Sequence, residues 1–271
     1  MNVIEREISN FDVAQIADSG QCFRMNPHPT KRNTYTLIAL GRYLEIEQEP
    51  GSNVVKFFGT TEHEFETVWK HYFDLETDYS KIIESVDPED SYLSAAVQAG
   101  SGIRILSQDL WETVVSFLIS QNNNVPRIKK SVETLCRTCG EMKYAPNGEL
   151  FYCFPTPDKL SIVENLKPAK LGYRERYIAG LAQDIISGKI NLSELRRKEQ
   201  FMEICGIGKK VADCIMLFGL HDLAAFPIDT WIKRAIDQHY GGVFPIERYS
   251  GCAGVIQQYI FNYAIHGDKN K

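Results

Sequence analysis

The 271-residue sequence contains no run of 18 apolar residues, which excludes a conventional transmembrane helix. Residues 1–7 lack the apolar stretch of a secretory signal, so we expect a cytoplasmic protein. Seven cysteines, an odd number in a chain of this length, favour a reducing compartment over a disulfide-stapled fold. Repeats and low-complexity tracts are absent as well, so we expect one large or two modest globular domains.

A complete set of metal ligands is also missing from the sequence. Cys136 and Cys139 have the spacing of half a zinc site, but no second Cys/His pair at suitable spacing completes it. The pair lies where a helix is predicted to end before Gly140, so ordinary packing explains it. The sequence therefore predicts no metal site.

Basic residues are fewer than acidic residues over the whole chain, which gives a net charge of −5. The distribution is uneven, because residues 1–100 carry a net charge of −9 and residues 101–220 a net charge of +4. Basic clusters in this middle part include residues 127–130 and 196–198. A local basic face can hold phosphate groups even on an acidic protein, although solvated helix faces have the same composition. Charge alone leaves both interpretations open.

The first 85 residues have the pattern of an antiparallel sheet. Apolar stretches at residues 34–39, 43–47 and 54–58 are separated by turn signals, which predicts three consecutive strands. Apolar and acidic residues alternate in the second stretch. One face of that strand, which carries Glu45 and Glu47, is therefore expected to be exposed.

From about residue 85 the pattern becomes helical. Asp109 followed by Glu112 resembles a capping box at the start of an apolar helix. This helix is expected to stop at residues 121–124, and Pro126 opens another helix that ends near Gly140. The sequence thus predicts an α+β protein, mainly helical, with an N-terminal antiparallel sheet domain and two helical domains.

Residues 204–214 form the most informative segment. Gly206 and Gly208 flank Ile207, a pattern that makes a tight turn between helices and lets another chain approach the backbone. The backbone N–H groups then open toward solvent at a helix N-terminus, where a phosphate can bind. A lone Gly-x-Gly is common, but its position before Lys-Lys-Val-Ala-Asp-Cys predicts a helix-hairpin-helix, which grips the DNA backbone without reading its sequence.

Lys210 lies in the first turn of the helix after this hairpin, four residues before Cys214 and on the same face. The helix dipole and desolvation disfavour an ammonium ion there, and a neutral amine is a nucleophile. A surface lysine that contacts phosphate explains the same position equally well. The segment leaves both roles open.

Asp229 follows Pro227 and Ile228 and precedes another helical pattern, which predicts that it caps this helix. A capping carboxylate is held rigidly, stays charged and can face a neighbouring lysine. There it can oppose positive charge that develops on a sugar. The capping role and the catalytic role are compatible.

Together these segments resemble the helix-hairpin-helix DNA glycosylases, and within them the 8-oxoguanine DNA glycosylase/AP lyase group. The resemblance covers nearly the whole chain in order. The matching segments are residues 19–24, 116–124, 171–174, 206–214, 227–229 and 253–261. The hairpin and Asp229 are shared across the superfamily, whereas the three successive asparagines and the Gln257/Phe261 pair are narrower signals.

The domain division that we expect has three parts. Residues 1–85 form the sheet domain and residues 105–225 the helix-hairpin-helix domain. Residues 86–104 and 226–271 together form a second helical domain, so that the active cleft lies between the helical parts.

The resemblance implies a pocket for a purine that has been extruded from the duplex. The base would lie between Phe261 and the sulfur of Cys214, and Gln257 would read its Watson–Crick edge. The carbonyl of Gly20 would accept the N7–H that 8-oxoguanine has and guanine lacks. Core packing for Phe261 and Cys214, and a solvated helix position for Gln257, are the alternatives that the residues themselves allow.

The resemblance also implies contacts with the rest of the DNA. Asn122 would fill the space left by the extruded base, and Tyr173 would wedge into the base stack. Arg127 and Arg174 would hold the orphaned cytosine. Without the resemblance, both arginines are equally well explained as phosphate contacts.

The implied reaction has two steps. Neutral Lys210 attacks C1′ of the sugar, the base leaves, and a Schiff base forms. β-Elimination then nicks the strand on the 3′ side, while Asp229 supports positive charge.

Two residues depart from the family pattern: Trp231 stands where related eukaryotic enzymes have a phosphate-binding histidine, and Lys209 places a second amine beside Lys210.

The iron–sulfur branch of the superfamily needs four clustered cysteines near the C-terminus, and only Cys252 lies beyond Cys214. We therefore expect no required cofactor, although the hairpin carbonyls offer a place for a monovalent cation. The expected partner is double-stranded DNA with an oxidised guanine, bound by a monomer in the cytoplasm or nucleoid. The alternatives are a glycosylase of the same fold for another damaged base and a non-catalytic DNA-binding protein.

Overall fold

Five antiparallel strands form the N-terminal sheet of the computed structural model, which describes residues 3–267. The strands are β1 (Val3–Glu7), β2 (Met25–Pro27), β3 (Thr34–Ala39), β4 (Arg42–Gln48) and β5 (Val54–Phe58). Their order in the sheet is β1-β5-β4-β3-β2. The predicted meander is confirmed as β3-β4-β5, and β1 and β2 extend it at the two edges.

The exposed acidic face predicted for β4 is wrong at Glu45, which is only 1% exposed. A two-stranded hairpin, β6 (Met142–Tyr144) and β7 (Leu150–Tyr152), covers this face of the sheet. The Phe151 ring of β7 packs 5.9 Å from the Tyr43 ring of β4. Glu45 tolerates burial because it pairs with Lys31 and accepts a hydrogen bond of 2.6 Å from Asn147 Nδ2.

Helices make up most of the remaining chain. They are α1 (Val13–Asp18), α2 (Glu62–Glu64), α3 (Lys70–Tyr72), α4 (Tyr79–Glu84), α5 (Ser91–Gly100), α6 (Leu110–Ser120), α7 (Val125–Cys139), α8 (Pro157–Leu160), α9 (Val163–Leu166), α10 (Arg174–Ile186), α11 (Lys198–Met202), α12 (Lys209–Gly219), α13 (Thr230–His239) and α14 (Ala253–His266). A π-helical turn, Phe65–Trp69, joins α2 to α3, and short 3-10 turns lie at Lys167–Ala169, Leu192–Glu194 and Ile246–Tyr249. None of the helices described is long and apolar enough to cross a membrane.

Side-chain hydrogen bonds cap the first turns of α6 and α7, the two helices on either side of the loop 121–124. The Asp109 carboxylate accepts from the Glu112 backbone N–H at 2.8 Å, and the Asn124 side chain accepts from the Arg127 N–H at 3.0 Å. The helix starts predicted at Asp109 and Pro126 are therefore confirmed, as is the end at Gly140. Between α6 and α7 the chain makes a short asparagine-rich loop, residues 121–124.

Among residues 3–267, two large hydrophobic cores are joined by a small cluster of Tyr43, Ala145, Phe151 and Cys153 between the sheet and its hairpin. One lies under the sheet and includes α1 and the Phe65–Trp69 turn. The other is continuous through the helices from α5 to α14, where α5 packs on α14 and α6 packs on α12. The two helical parts therefore share one core, and the residue bounds of the three predicted domains remain a prediction.

Candidate active site

A cleft of about 1120 Å³ opens between the start of α12, the start of α13, the end of α14 and the loop 121–124. Its lining includes seven of the residues that the sequence singled out. They are Gly20, Asn122, Arg127, Lys210, Asp229, Trp231 and Phe261. These positions are spread over most of the chain, so only the folded protein brings them to one surface.

Lys210 stands in the first turn of α12 and is half-buried in the cleft wall. Its Nζ lies 5.3 Å from the centroid of the Phe117 ring. Phe117 in turn stacks on Phe218, with ring centroids 5.4 Å apart. Lys209 is exposed and does not line the cleft. The local geometry therefore directs one of the two neighbouring amines into the cleft.

The Cys214 thiol lies one helical turn beyond Lys210 and is 3% exposed. Burial raises the pKa of this thiol, while the charge of Lys210 and a hydrogen bond with its side chain act in the opposite direction. Asp229 is also near enough for its negative charge to raise the pKa of Cys214 further. Burial therefore favours the neutral thiol at Cys214, which does not itself line the cleft.

Asp229 caps α13, as predicted. One carboxylate oxygen accepts a hydrogen bond of 2.9 Å from the Ile232 backbone N–H. This bond holds the carboxylate in the cleft lining, to which Lys210 also belongs. A fixed carboxylate in a partly desolvated cleft can stabilise a cation that forms beside it, because it needs no reorganisation.

Gly20 and Phe261 meet at the cleft, as the predicted base pocket requires. Gly20 has a φ of +74°, and a Cβ added to it would lie 3.2 Å from Cε1 of Phe261. A side chain at this position would therefore be strained and would press on the aromatic ring. Glycine therefore allows the Phe261 ring to lie beside this segment in the cleft lining.

Gln257 lies on α14 one turn before Phe261, but it is buried and does not line the cleft. Its Oε1 accepts a hydrogen bond of 3.0 Å from Gln258 Nε2. The alternative, a solvated helix position, is therefore excluded. Its contact with the base stays a prediction.

Gln21 was not singled out from the sequence, although it follows Gly20 directly. Its fully buried amide donates to the Arg104 carbonyl at 2.9 Å and accepts from the Leu106 N–H at 2.7 Å. These bonds tie the Gly20 loop to the segment that leads into α6. Its position inside the Gly-Gln-Cys-Phe-Arg stretch was the available signal.

The residues predicted to enter the DNA lie on two neighbouring segments. Asn122 is exposed in the loop 121–124 with a left-handed φ of +49°. Tyr173, which precedes α10, is 46% exposed, and Arg127 is exposed in the first turn of α7. All three side chains are accessible to a large partner.

Arg174 is only 6% exposed and does not line the cleft, and its contact with the orphaned cytosine stays a prediction. Its guanidinium donates to the backbone carbonyls of Gln121, Asn122 and Leu171. The loop 121–124 turns its carbonyls toward the start of α10, and the planar guanidinium fits between them. In this arrangement Arg174 binds the protein backbone instead of being presented to a base.

The helix-hairpin-helix is formed by α11 and α12 with the turn between them. Gly206 has a φ of +92°, and an added Cβ would lie 2.6 Å from the Tyr177 ring. Gly208 caps α12 in extended conformation, with open space where a Cβ would point. The two glycines therefore have different roles. Gly206 permits close packing on α10, and Gly208 leaves the N-terminus of α12 accessible.

We expect Gly206→Ala to destabilise the protein by about 1–3 kcal/mol, because alanine strains the backbone and displaces Tyr177. Urea unfolding measures the change. Gly180→Ala is the matched control, since Gly180 lies in the interior of α10 with no atom within 4 Å of an added Cβ. That variant should gain up to about 1 kcal/mol. Equal stability of both variants would show that Tyr177 does not restrict the hairpin.

The cysteine pair at the end of α7 is consistent with packing. Cys136 is fully buried, and Cys139 Sγ lies 3.3 Å from the Leu135 carbonyl. Burial raises the pKa of both thiols. Among residues 3–267, neither belongs to a group of three potential metal ligands.

Comparison with known proteins assigns the chain to a family. Residues 3–114 match the family model for the 8-oxoguanine DNA glycosylase N-terminal domain. MBOgg1, solved in complex with a low-affinity DNA ligand, is 35% identical with a TM-score of 0.91, over 99% of this chain and 97% of that one. This chain belongs to the 8-oxoguanine DNA glycosylase family. The predicted fold class, an N-terminal antiparallel sheet with helix-hairpin-helix domains, is thereby confirmed.

Two further relatives of this family are an 8-oxoguanine glycosylase/lyase and an N-glycosylase/DNA lyase. The Clostridium acetobutylicum glycosylase/lyase, solved with double-stranded DNA that contains cytosine opposite 8-oxoG, is 33% identical with a TM-score of 0.88, over 99% of each chain. The Saccharomyces cerevisiae N-glycosylase/DNA lyase is 27% identical over 86% of this chain and 69% of its own length.

Trp231, the residue that departs from the eukaryotic glycosylase pattern, lies at the cleft and is 41% exposed. The Arg234 guanidinium lies 5.2 Å from its ring centroid, one turn along α13. The guanidinium therefore makes a cation–π contact with the Trp231 ring.

Proposed function

We propose that this protein is a bifunctional DNA N-glycosylase and AP lyase that excises 8-oxoguanine from duplex DNA, preferably opposite cytosine. The observation that carries the proposal is the half-buried Lys210 in the cleft wall, with its Nζ 5.3 Å from the centroid of the Phe117 ring. Asp229 and Phe261 line the same cleft. Family membership supports the substrate class, since an 8-oxoguanine glycosylase/lyase is among the relatives.

The damaged nucleotide leaves the helix and enters the cleft, because its glycosidic bond is inaccessible within the stack. The purine lies against Phe261 and the Cys214 thiol, with Gln257 at its Watson–Crick edge. The Gly20 carbonyl accepts the N7–H of 8-oxoguanine. Guanine has an acceptor at N7, and two facing acceptors cost on the order of 1–3 kcal/mol, which disfavours the undamaged base.

The reaction begins when Lys210, once its ammonium group has lost a proton, forms a bond to C1′ through the nitrogen lone pair. The glycosidic bond breaks and its electron pair leaves with the base, which takes up the proton that Nζ loses after the new bond to C1′ has formed. Opening of the sugar ring then gives a Schiff base between C1′ and Nζ. Loss of a proton from C2′ expels the 3′ phosphate by β-elimination. The Asp229 carboxylate stabilises the positive charge on the sugar and on the iminium nitrogen.

The DNA backbone is held by the hairpin N-terminus around Gly206 and Gly208 and by the basic middle of the chain. Asn122 fills the space that the base vacates, and Tyr173 enters the stack. These steps need one copy of the chain, so we infer a monomer acting where DNA is exposed, in the cytoplasm or nucleoid. They need no cofactor, and a monovalent cation at the hairpin carbonyls would serve only phosphate binding.

We expect the wild-type protein to cleave 8-oxoguanine faster opposite cytosine than opposite the other three bases. Arg127 offers guanidinium donors to the acceptors of cytosine, an interaction worth about 1–3 kcal/mol of discrimination. Arg127→Ala should reduce the preference by about tenfold or more. Single-turnover cleavage of four duplexes that differ only in the opposite base measures it.

Lys130→Ala is the control for the loss of charge, because Lys130 is exposed on the same helix and does not line the cleft. It should weaken DNA binding without changing the ratio between the four duplexes. Equal wild-type rates on all four duplexes would contradict the predicted preference. Faster release of an alkylated purine or a mismatched pyrimidine in competition would assign the protein to another lesion.

A further inference from the structure

Gln257 and Gln258 are neighbouring glutamines on α14, and both are buried, at 3% and 4% exposure. Nε2 of Gln258 donates a hydrogen bond of 3.0 Å to Oε1 of Gln257. Within residues 3–267, neither amide makes another side-chain hydrogen bond. Oε1 of Gln258 is buried and has no partner among these residues. The Gln258 amide therefore has a single described partner, which is the side chain of Gln257.

The unpaired oxygen makes Gln258 an unfavourable residue for this part of the core. A buried amide oxygen without a partner costs stability, and an apolar side chain of the same length would avoid that cost. An unsatisfied polar group in a folded protein calls for an explanation, and one explanation is a functional constraint. The hydrogen bond to Gln257, a residue of the predicted base pocket, supplies such a constraint.

This hydrogen bond fixes the orientation of the Gln257 amide. Rotating that amide by half a turn would exchange its oxygen and its NH2 group, and the NH2 group would then face the Gln258 donor. The Gln258 donor therefore holds Oε1 of Gln257 in place and leaves Nε2 as the free donor. An amide oxygen has two lone pairs, so Oε1 can accept a second hydrogen bond from a ligand.

We infer that Gln258 is a positioning residue, which holds the Gln257 amide in the orientation that fits a guanine edge and not an adenine edge. The inference rests on the proposed function, because Gln257 must face the Watson–Crick edge of the extruded base. In 8-oxoguanine, O6 accepts and N1–H donates, which matches Nε2 and Oε1 of the held amide. In 8-oxoadenine, the amino group donates and N1 accepts, so donor faces donor and acceptor faces acceptor.

Competition between 8-oxoguanine and 8-oxoadenine tests the inference, with each lesion opposite cytosine in an otherwise identical duplex. Both bases carry N7–H, so the proposed contact with the Gly20 carbonyl is common to them and the difference lies at the Watson–Crick edge. The ratio of product formation gives the ratio of kcat/KM. Gln258→Met keeps the length of the side chain and removes the amide, so it should reduce the preference for 8-oxoguanine by about tenfold.

Binding gives a second measurement that does not depend on cleavage. In the Lys210→Gln background, duplexes with either lesion can be titrated without turnover. Adding Gln258→Met should reduce the ratio of the two affinities, in the same direction as the ratio of kcat/KM. In a Gln257→Ala background the same substitution should leave the lesion preference unchanged, because Gln258 acts only through Gln257.

Tyr259→Phe is the matched control, because the Tyr259 hydroxyl is also buried on α14 and also lacks a partner among the described residues. Tyr259→Phe and Gln258→Met each remove one unpaired buried polar group, so both should unfold close to the wild-type urea concentration. Only Gln258→Met should change the lesion preference. Gln258→Leu repeats the test with a different apolar shape, so that the result does not depend on how methionine packs.

Three results would overturn the inference. They are an unchanged lesion preference in both Gln258 variants, an equal change in Tyr259→Phe, and the same change when Gln257 is already alanine. A wild-type protein that neither binds nor cleaves an 8-oxoguanine:cytosine duplex would instead contradict the proposed function. The two failures are therefore distinguishable.

Discussion

Lys210→Gln is expected to abolish strand cleavage and the covalent adduct that borohydride traps between wild-type protein and DNA with 8-oxoguanine opposite cytosine. Glutamine keeps a polar group near Cys214 but has no lone pair that can attack C1′. Removing a nucleophile typically costs on the order of 10⁴–10⁶-fold in kcat. Denaturing gels after borohydride treatment, with labelled DNA, measure both the adduct and the nicked product.

Measurements of stability and of DNA affinity distinguish the loss of the nucleophile in Lys210→Gln from a folding defect. A positive charge at the first turn of α12 opposes the helix dipole, so the glutamine variant should be as stable as wild type or more stable by about 0.3–1 kcal/mol. Its affinity for lesion DNA should change by only a few-fold. Lys209→Gln removes the neighbouring exposed amine and should retain the adduct. A trapped adduct in Lys210→Gln would rule out Lys210 as the nucleophile.

Asp229→Asn is expected to lower kcat by about 10²–10³-fold with little change in stability. Asparagine caps a helix about as well as aspartate, so the hydrogen bond to the Ile232 N–H is retained while the negative charge is lost. Single-turnover excision at saturating protein measures the rate, and urea unfolding measures the stability.

Asp237→Asn provides the charge control, since Asp237 is exposed on the same helix and does not line the cleft. It should cleave DNA at the wild-type rate. If Asp229→Asn also did so, Asp229 would be a cap alone and another group would have to stabilise the cation. Asp229→Ala removes the cap as well, and should lose about 1 kcal/mol of stability in addition to activity.

Arg127 and Arg174 show that the residue type alone does not determine the role of a side chain. Arg127 and Arg174 are the same residue type on neighbouring segments, yet one is exposed at the cleft and the other is buried among backbone carbonyls. The difference comes from the left-handed turn at Asn122, which directs two carbonyls toward α10. No periodicity or spacing in the sequence encodes that direction.

The structural predictions that are confirmed depend on contacts between residues close together in the sequence. The β3-β4-β5 meander, the caps at Asp109 and Asp229 and the tight turn at Gly206 depend on contacts between residues close in the chain. Short-range hydrogen bonds and backbone preferences are readable from adjacent residues. The order of motifs along the chain was also sufficient to identify the family.

Only the tertiary structure decided which predicted residues share a surface. Glu45 is buried because a hairpin a hundred residues later covers β4, and Arg174 is buried because a loop from α6 reaches it. Lys210, not Lys209, faces the cleft because α12 packs with its apolar stripe against α6. Burial and long-range hydrogen bonds depend on how distant segments dock, and a single sequence specifies that docking only through the whole folded core.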